Sequence, residues 1–362
     1  MSPNADVAVI GGGIVGCALA AFLAEDGARV RLYERDEVAA GASGRNSGLL
    51  QHPMDEALVG VFAASDALYR ELGHGFELPA EPAGVLVLGD DAGALEPTRA
   101  GIAARFPELG AEPLDAPHEL EPALARGLAG FRLDTGRPVP PAAATRAFAE
   151  RARAAGAELL EGVTAGPVTA GGRATAVRTP GGEEPAGAVV VAAGPWSSAL
   201  VDPTGGWRPV GPSWGVIVEL RLTSPPRHAL EEAGVEDLAS ERGAPGALFS
   251  LVTRDGVSAL GSTFLPEQPE PTELAPSLIE RGTRFVPALA GTHAASFRAC
   301  ARPASLDGRP LLGPLPGTEG LFVATGHGAW GASLGPGSAR LVADAVMGRD
   351  AAIPPELAAN RF

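Results

Sequence analysis

The chain has 362 residues, of which 45% are hydrophobic and 20% are charged, a composition that excludes disordered and fibrous proteins. At roughly 150 residues per domain, this length favours two domains. The net charge is −15, and all 28 basic residues are arginines. The absence of lysine excludes Schiff-base chemistry and a Walker-type phosphate site, and the acidic balance argues against a nucleic-acid partner.

The two cysteines, Cys17 and Cys300, are too few for a disulfide framework, and no Cys/His cluster predicts a metal site. A reducing compartment fits this pattern, and we expect a cytoplasmic protein. No charged leader precedes the first predicted strand, and no apolar run approaches the ~18 residues that span a bilayer. We therefore expect a protein that is neither secreted nor inserted in a membrane, and the sequence leaves self-association open.

The N-terminal segment predicts a nucleotide-binding βαβ unit. Residues 7–10 form an apolar run typical of a buried parallel strand, and the next residues contain a GxGxxG motif. The first glycine permits a tight turn, the second admits a pyrophosphate to the backbone, and the third lets the helix pack on the strand. The predicted phosphate-binding residues are Gly11, Gly13, Ile14, Val15 and Gly16.

The helix and second strand of this unit follow directly. Residues 17–25 predict an apolar helix, and residues 28–33 predict a strand that ends at Glu34 and Arg35. Glu34 lies about 20 residues past the last glycine, where a carboxylate accepts the ribose hydroxyls of a dinucleotide. The unit thus predicts a bound dinucleotide but does not distinguish FAD from NAD.

Three later segments of the sequence carry a resemblance to a known protein family. Residues 41–48 (GASGRNSG), 188–197 (AVVVAAGPWS) and 320–328 (GLFVATGHG) occur in this order. Together with the βαβ unit they resemble the FAD-contacting segments of the D-amino-acid oxidase superfamily, most closely the glycine oxidases and then the sarcosine oxidases. The resemblance extends over the whole chain, although it is specific only in these blocks and in residues 300–313.

The resemblance implies an α/β fold with a Rossmann-like FAD-binding domain of glutathione-reductase type and an α+β substrate domain built on an antiparallel sheet. We expect the FAD domain to be discontinuous, with residues 1–80, 140–205 and 300–362. The substrate domain then contains residues 81–139 and 206–299. A helix over residues 141–155 and strands within 164–179, 188–193, 215–222 and 246–251 fit this layout, whereas residues 266–276 predict a surface loop from their Pro/Glu-rich composition.

The resemblance also implies which residues contact FAD. Ser43, Arg45 and Asn46 offer hydrogen-bond donors beside the pyrophosphate and ribityl chain, and backbone groups at Thr164 and Ala165 contact adenine. The other implied contacts are Ser47, Gly48, Leu49, Ala193, Gly194, Trp196, Gly326, Gly328, Ala329, Trp330, Gly331, Ala332 and Ser333.

Arg302, followed by proline as in glycine oxidases, is the implied anchor of a substrate carboxylate. A planar guanidinium offers two parallel donors that match a carboxylate and fix its orientation. The alternative is an arginine in a structural salt bridge. Cys300 stands where monomeric sarcosine oxidases attach their flavin covalently; the surrounding residues favour non-covalent FAD, but both forms remain open.

Two departures from the family occur in the C-terminal loop. Ala329 and Ser333 stand where relatives often carry an arginine or lysine, so the site has lost a cation and gained space. We therefore expect a substrate larger than glycine, with Trp214, Trp330 and Phe264 beside it in an apolar side pocket. His327 is either a flavin contact or a neutral loop residue.

The implied activity is oxidation of a carboxylate-bearing amine, such as glycine, an N-substituted glycine or a D-amino acid. A hydride passes from the carbon next to nitrogen to flavin N5, the imine hydrolyses, and O₂ is reduced to H₂O₂. Two alternatives stay open: an FAD-dependent 2-hydroxy-acid dehydrogenase, and a non-catalytic flavin-binding subunit.

Overall fold

The computed structural model describes residues 5–235, 246–350 and 352–362. The strands of these ranges are β1 (Ala5–Ile10), β2 (Val30–Glu34), β3 (Leu49–Leu50), β4 (Val85–Gly89), β5 (Glu112–Leu114), β6 (Ala129–Leu133), β7 (Arg137–Pro138), β8 (Glu158–Glu161), β9 (Gly166–Ala170), β10 (Arg173–Thr179), β11 (Gly182–Val191), β12 (Val210–Leu220), β13 (Ala229–Glu232), β14 (Gly246–Arg254), β15 (Val257–Phe264), β16 (Ser296–Ser305), β17 (Leu311–Pro314) and β18 (Leu321–Thr325). The α-helices are α1 (Ile14–Glu25), α2 (Ala42–Arg45), α3 (Glu56–Arg70), α4 (Ala92–Arg105), α5 (Pro117–Leu120), α6 (Ala143–Ala154), α7 (Ser197–Val201), α8 (Pro271–Thr283) and α9 (Gly331–Val346).

The first sheet has the order β17-β18-β11-β1-β2-β8, and all its pairs are parallel except β17 with β18. Its central strands are buried on both faces, which explains their nearly unbroken apolar sequences. The first half of β11 also pairs with β10, and β10 with β9, as an antiparallel layer over one face. The turn between β9 and β10 uses Gly171 and Gly172, both at positive φ.

Helices cover the other face of this sheet. Helix α1 is buried from Ile14 to Ala24, because it packs on the sheet with α6 on one side and α9 on the other. A helix that is apolar on every side fits only such an enclosed position. Helix α3 packs on the outside of α9, where Gly337 donates its N–H to Ser65 Oγ at 2.9 Å.

The second sheet has the order β16-β12-β15-β14-β13-β4-β6-β5, and its pairs are antiparallel except β13 with β4. Its side chains alternate between two hydrophobic clusters, as the period of a strand requires. In β4, Leu86 and Leu88 face the cluster beneath α8, whereas Val85 and Val87 face the cluster that contains α4 residues. Both faces of this sheet are therefore covered around β4.

The chain crosses between the two sheets several times, and this mixed architecture of helices and sheets agrees with the predicted α/β fold class. Strand β16 continues the second sheet to Ser305, five residues beyond the boundary that the sequence places at residue 300. No helix within the described part of the chain is long and apolar enough to cross a membrane.

The surface loop predicted for residues 266–276 is wrong in its second half. Helix α8 begins at Pro271, and Glu270 caps it by accepting a hydrogen bond from Thr272 N. Proline at the first helical position is favourable because its fixed φ suits the helix and its missing N–H would have no partner there. The Pro/Glu-rich composition therefore marks a helix start rather than a loop.

The crossing of α9 and α3 provides a stability test. A Cβ at Gly337 of α9 would meet the carbonyl oxygen of Val61 and lie 2.9 Å from Ser65 Oγ, whereas a Cβ at Gly60 of α3 would meet nothing within 4 Å. We expect Gly337→Ala to lower the free energy of unfolding by about 1–3 kcal/mol through overpacking, and Gly60→Ala to raise it by about 0.5–1 kcal/mol. Denaturant unfolding measures both; equal stability of the two variants would refute this account of the crossing.

Candidate active site

A cavity of about 790 Å³ runs from the carboxyl ends of the parallel strands to the second sheet. A volume of this size accommodates a large ligand. Most of the residues predicted from sequence lie on its wall, namely Gly11, Gly13, Ile14, Val15, Glu34, Arg35, Ser43, Arg45, Asn46, Ser47, Leu49, Thr164, Ala165, Ala193, Gly194, Trp196, Trp214, Cys300, Arg302, His327, Gly328, Ala329, Gly331 and Ala332.

The glycine motif closes the nucleotide end of the cavity. Gly11 has φ +117°, and a Cβ there would collide with the carbonyl of Ala192. Gly16 does not line the cavity. It packs against Gly11 O, and this contact leaves no room for a Cβ at position 16. These contacts bring the N-terminus of α1 close to β1 and β11, where its backbone N–H groups suit a phosphate.

Glu34 stands at the end of β2 beside this turn. Its Oε2 accepts a hydrogen bond from Gly12 N at 2.6 Å, and its Oε1 accepts one from Asp36 N at 2.9 Å. A Cβ at Gly12 would lie 2.9 Å from the Glu34 side chain. The structure thus requires glycine at position 12, which the GxGxxG pattern does not, and it holds the carboxylate facing the cavity.

The opposite rim of this end carries Arg35 and Trp196. The Arg35 guanidinium carbon lies 4.0 Å from the centre of the Trp196 ring, a cation–π contact, and 40% of Trp196 is exposed. Thr164 and Ala165 lie on the same wall, after β8. An exposed aromatic at a cavity mouth suits a planar ring such as adenine.

Helix α2 holds the segment between the phosphate turn and the second sheet. Ser43 Oγ accepts a hydrogen bond from Ile14 N at 2.9 Å. Asn46 uses its side chain to hold the turn, donating to the carbonyls of Ala42 and Ser43 and accepting from Gly48 N. The prediction that the Asn46 amide donates to FAD is therefore not matched by its contacts here.

Arg302 is the main cation at the far end of the cavity. Its Nη1 donates to Thr263 O at 2.7 Å and its Nη2 to Ser262 Oγ at 2.9 Å, and the guanidinium lies over the Phe264 ring at 4.6 Å. Within the described ranges no carboxylate pairs with it. Burial lowers the pKa of Arg302 from its ordinary value, which shows a desolvated charge that an anionic ligand would stabilise.

The guanidinium of Arg302 also lies against Gly215 of the neighbouring strand. In the register of β12 and β16, Ser213 pairs with Arg302 and Gly215 with Cys300. A Cβ at Gly215 would lie 2.5 Å from Arg302 Cζ. Only glycine leaves room for the guanidinium, so Gly215 is a site residue that the sequence analysis missed. Its role depends on the register of β12 against β16, which the sequence alone does not determine.

His327 is a neutral member of the wall. Burial lowers its pKa to about 4, and its Nε2 is buried without a hydrogen-bond partner among the described residues. An unpaired buried nitrogen is costly unless a ligand satisfies it. The position therefore favours the flavin-contact interpretation over that of a simple loop residue.

Five residues named in the sequence analysis do not line the cavity, in addition to Gly16. Trp330 packs in the core among α1 and α9 residues, and Ser333 Oγ accepts a hydrogen bond from Gln51 N. Phe264 is buried beneath Arg302 rather than on the wall. Gly48 and Gly326, both at positive φ, shape the backbone behind the cavity wall. The side pocket predicted from three aromatics thus retains Trp214 alone, because the other two rings are needed for packing.

The wall also includes residues that the sequence analysis did not name. Gln268, exposed in the loop before α8, reaches the cavity near the second sheet. The other unnamed wall residues are Ile10, Tyr33, Asp36, Ala40, Gly41, Ala42, Val163, Ala192, Pro195, Ala199, Leu200, Ala299, Ala301, Pro303, Ala324 and Thr325. Most of them flank named residues and carry no chemical signal that sequence reasoning could use.

The described residues fit FAD. The glycine turn, the Glu34 carboxylate, the Arg35–Trp196 rim and the unpaired His327 nitrogen follow one another along a continuous cavity. Such a fold and site define a flavin-dependent oxidoreductase.

Comparison with known proteins gives the family. The model of the DAO family, FAD dependent oxidoreductase, matches residues 6–345, so the chain belongs to this family and the predicted resemblance is confirmed. It is 29% identical to a glycine oxidase of Pseudomonas aeruginosa, with 96% of each chain covered.

Solved structures support the same family assignment. The glycine oxidase of Geobacillus kaustophilus superposes with a TM-score of 0.83 at 27% identity over 99% of both chains. The iminodiacetate oxidase of Chelativorans sp. BNC1 gives 0.83 at 26% identity over 97% of this chain and 98% of that one. The chain is therefore an FAD-dependent amine or amino-acid oxidoreductase.

A covalent bond between the protein and FAD would have to form at the thiol of Cys300, the position named in the sequence analysis. Burial raises the pKa of Cys300, while the charges of Arg302, Arg298 and Arg45 act in the opposite direction. A thiol with a raised pKa is a poor nucleophile, and we expect non-covalent FAD. After denaturation and filtration, the flavin should appear in the filtrate for the wild type and for Cys300→Ser alike. Flavin that stays with the denatured wild type but not with the variant would establish a covalent bond.

Proposed function

We propose that the protein is an FAD-dependent oxidase of amines that carry a carboxylate, with glycine, N-substituted glycines and D-amino acids as the candidate substrates. The observation that carries this proposal is the half-buried Arg302 guanidinium, which faces the cavity without a carboxylate partner among the described residues. The similar glycine oxidases and iminodiacetate oxidase support it, because the substrates in their names are amino acids with a free carboxylate.

Arg302 binds the substrate carboxylate and orients the carbon next to nitrogen. Thr263 O and Ser262 Oγ hold the guanidinium from one side, and Phe264 and Gly215 confine its plane. A guanidinium fixed in this way loses little entropy when it binds an anion, so positioning contributes to catalysis as well as affinity.

When bound in this cavity, FAD would supply the redox chemistry, which is two-electron oxidation of the carbon next to the substrate nitrogen with O₂ as the final electron acceptor. In sum, amine, O₂ and water give a carbonyl compound, the released amine and H₂O₂. The protein contributes carboxylate binding, exclusion of bulk water and a neutral environment around the substrate nitrogen. We expect the substrate to react as the neutral amine, because hydride loss from an ammonium would concentrate positive charge.

Arg45 lies on the same wall and, within the described ranges, pairs with no carboxylate. It lies in α2, two residues after the Ser43 that contacts Ile14 N, and its charge also acts on Cys300 of β16, so it stands between the phosphate turn and the second sheet. We propose that Arg45 binds the FAD pyrophosphate, as the sequence analysis expects, and that Arg302 alone anchors the substrate carboxylate.

Two other functions stay as alternatives from the sequence. A 2-hydroxy-acid dehydrogenase would use the same carboxylate anchor but would reduce its flavin with a hydroxy acid and would not release H₂O₂. A non-catalytic flavin-binding subunit would show no turnover on its own. Peroxide release by the purified chain with an amine substrate separates the proposal from both.

Removal of the Arg302 charge tests the proposal. We expect Arg302→Met to lower kcat/KM for N-methylglycine by roughly 100-fold or more, since it removes two charge-assisted hydrogen bonds. N-methylglycinamide, which has the amine but no carboxylate, should be affected little. The matched control is Arg309→Met, an arginine near the same strand that pairs with Asp55 at 2.6 Å and should retain activity.

Gly215→Ala is the second variant of this experiment, because it keeps the positive charge of Arg302 but changes the position of the guanidinium. The added methyl meets Arg302 Cζ at 2.5 Å unless the guanidinium moves. Peroxide assays should show a raised KM for N-methylglycine and an unchanged rate with the amide. An equal loss with both substrates would show that Arg302 acts on the flavin or the fold instead of the carboxylate.

Substrate size is the next prediction. Ala329 is on the wall and carries only a methyl, and Trp214 and Gln268 border the space near Arg302. We therefore expect N-alkylglycines to be better substrates than glycine, with a higher kcat/KM for N-methylglycine and N-ethylglycine. A peroxide assay over this series decides the point, and glycine as the best substrate would refute the larger pocket.

A further inference from the structure

Gln268 is a polar residue of the cavity wall that the proposed function leaves without a role. It is exposed and lies in the loop between β15 and α8. Its amide carries two N–H donors and a carbonyl acceptor, and it makes no hydrogen bond within the described part of the chain. Such an amide can bind a polar group of a ligand without first breaking a contact inside the protein.

The loop that carries Gln268 is held at both ends. At its start, Leu265 N donates to Trp214 O at 3.0 Å, and Trp214 N donates to Leu265 O at 2.7 Å. At its end, helix α8 begins at Pro271. Two of the residues in between are prolines, whose fixed φ restricts the backbone. Gln268 is therefore presented to the cavity by a short and constrained segment.

The same contacts place this loop at the Arg302 end of the cavity. Trp214 lies on the wall, and in the register of β12 and β16 it pairs with the residue directly before Arg302. Phe264, the residue before Leu265, lies under the Arg302 guanidinium at 4.6 Å. The chain thus leaves β15 beside the carboxylate anchor, and Gln268 follows within one turn of loop.

The second-sheet part of the wall, formed by β12, β16 and this loop, carries few polar side chains. Within the described ranges they are Trp214, Gln268, Cys300 and Arg302, and the rest are alanines and a proline. Arg302 is assigned to the substrate carboxylate, and burial raises the pKa of Cys300, which leaves a protonated thiol that donates weakly. Trp214 offers a ring and one N–H donor. Gln268 therefore supplies the neutral hydrogen-bond acceptor of this part of the wall.

We propose that Gln268 recognises a polar group at the end of the substrate's nitrogen substituent, while the Trp214 ring packs against the carbons of that substituent. The inference rests on the proposed function and narrows its substrate class to N-substituted glycines. The space beside Arg302 that favours a nitrogen substituent is the space that Gln268 borders.

The surroundings of Gln268 favour a neutral polar group over a second carboxylate. An amide both donates and accepts hydrogen bonds, and a hydroxyl or another amide does the same. The exposed acids Glu267 and Glu270 flank Gln268 in the loop, and like charges repel a carboxylate. The substituent is therefore expected to end in a hydroxyl or an amide.

The test uses three substrates whose nitrogen substituents have equal numbers of heavy atoms. N-propylglycine, N-(2-hydroxyethyl)glycine and N-(2-aminoethyl)glycine end in a methyl, a hydroxyl and an ammonium group. Peroxide release by the FAD-loaded enzyme gives kcat/KM for each. The amine pKa differs among the three, but this difference affects every enzyme variant equally and cancels when their substrate ratios are compared.

Gln268→Met removes the amide and keeps the length of the side chain. We expect its ratio of kcat/KM for the hydroxyl over the methyl substrate to fall roughly fivefold from the wild-type ratio, mostly through KM, since one neutral hydrogen bond is lost. Gln268→Glu should instead raise the ratio for the ammonium over the methyl substrate, roughly tenfold, because a carboxylate pairs with an ammonium.

Glu267→Gln is the matched control, because Glu267 is exposed in the same loop but does not line the cavity. Its ratio for the hydroxyl over the methyl substrate should equal that of the wild type. All three variants should keep the wild-type thermal midpoint, since neither side chain is buried.

Two results overturn this inference alone, in an enzyme that oxidises N-propylglycine. The first is a hydroxyl-to-methyl ratio that is the same in Gln268→Met and in the wild type. The second is an equal fall of this ratio in Glu267→Gln, which would show a general effect of the loop. If the wild type releases no peroxide with any amine, N-methylglycine included, the proposed function fails and the inference fails with it.

Discussion

The close approach of α1 to β1 and β11 is the contact on which the rest of the molecule depends. Gly16 packs on the carbonyl of Gly11, and Gly11 in turn lies against Ala192, so a side chain at either position would separate the helix from the sheet. The same approach places the N-terminus of α1 at the carboxyl ends of the parallel strands. The phosphate end of the cavity is thus a consequence of packing, and the helices α6 and α9 pack against the two sides of α1.

The opposite end of the cavity depends on an electrostatic imbalance. The acids on the cavity wall, Glu34 and Asp36, belong to the nucleotide end, whereas Arg302 is held by a carbonyl and a hydroxyl. Neutral partners orient the guanidinium without cancelling its charge, and its partial burial strengthens its interaction with an anion in the cavity. In a chain without lysine, this arginine is a strong attraction for a carboxylate. The unpaired charge would be unfavourable in a purely structural position, which argues for a ligand.

Sequence reasoning works well where a local pattern carries the physics, and it fails where the physics comes from strand register. The glycine motif, Glu34 and the blocks around Ser43, Ala193 and His327 each sit within a short segment, and the structure brings them to one wall. Trp330 and Phe264 look like pocket residues because aromatic side chains suit both pockets and cores. Gly215 carries no local signal at all; it matters because β12 pairs with β16 in a particular register, which brings it against the Arg302 guanidinium.

Two groups on the cavity wall differ in charge. Arg302 carries an unpaired positive charge among the described residues, whereas His327 stays neutral because burial lowers its pKa to about 4. The acids of the wall, Glu34 and Asp36, lie at the nucleotide end, so no wall carboxylate among the described residues stands near Arg302 to stabilise the ammonium form of a bound amine. In the proposed function this arrangement favours the neutral amine that hydride loss requires, while the fixed cation retains the carboxylate.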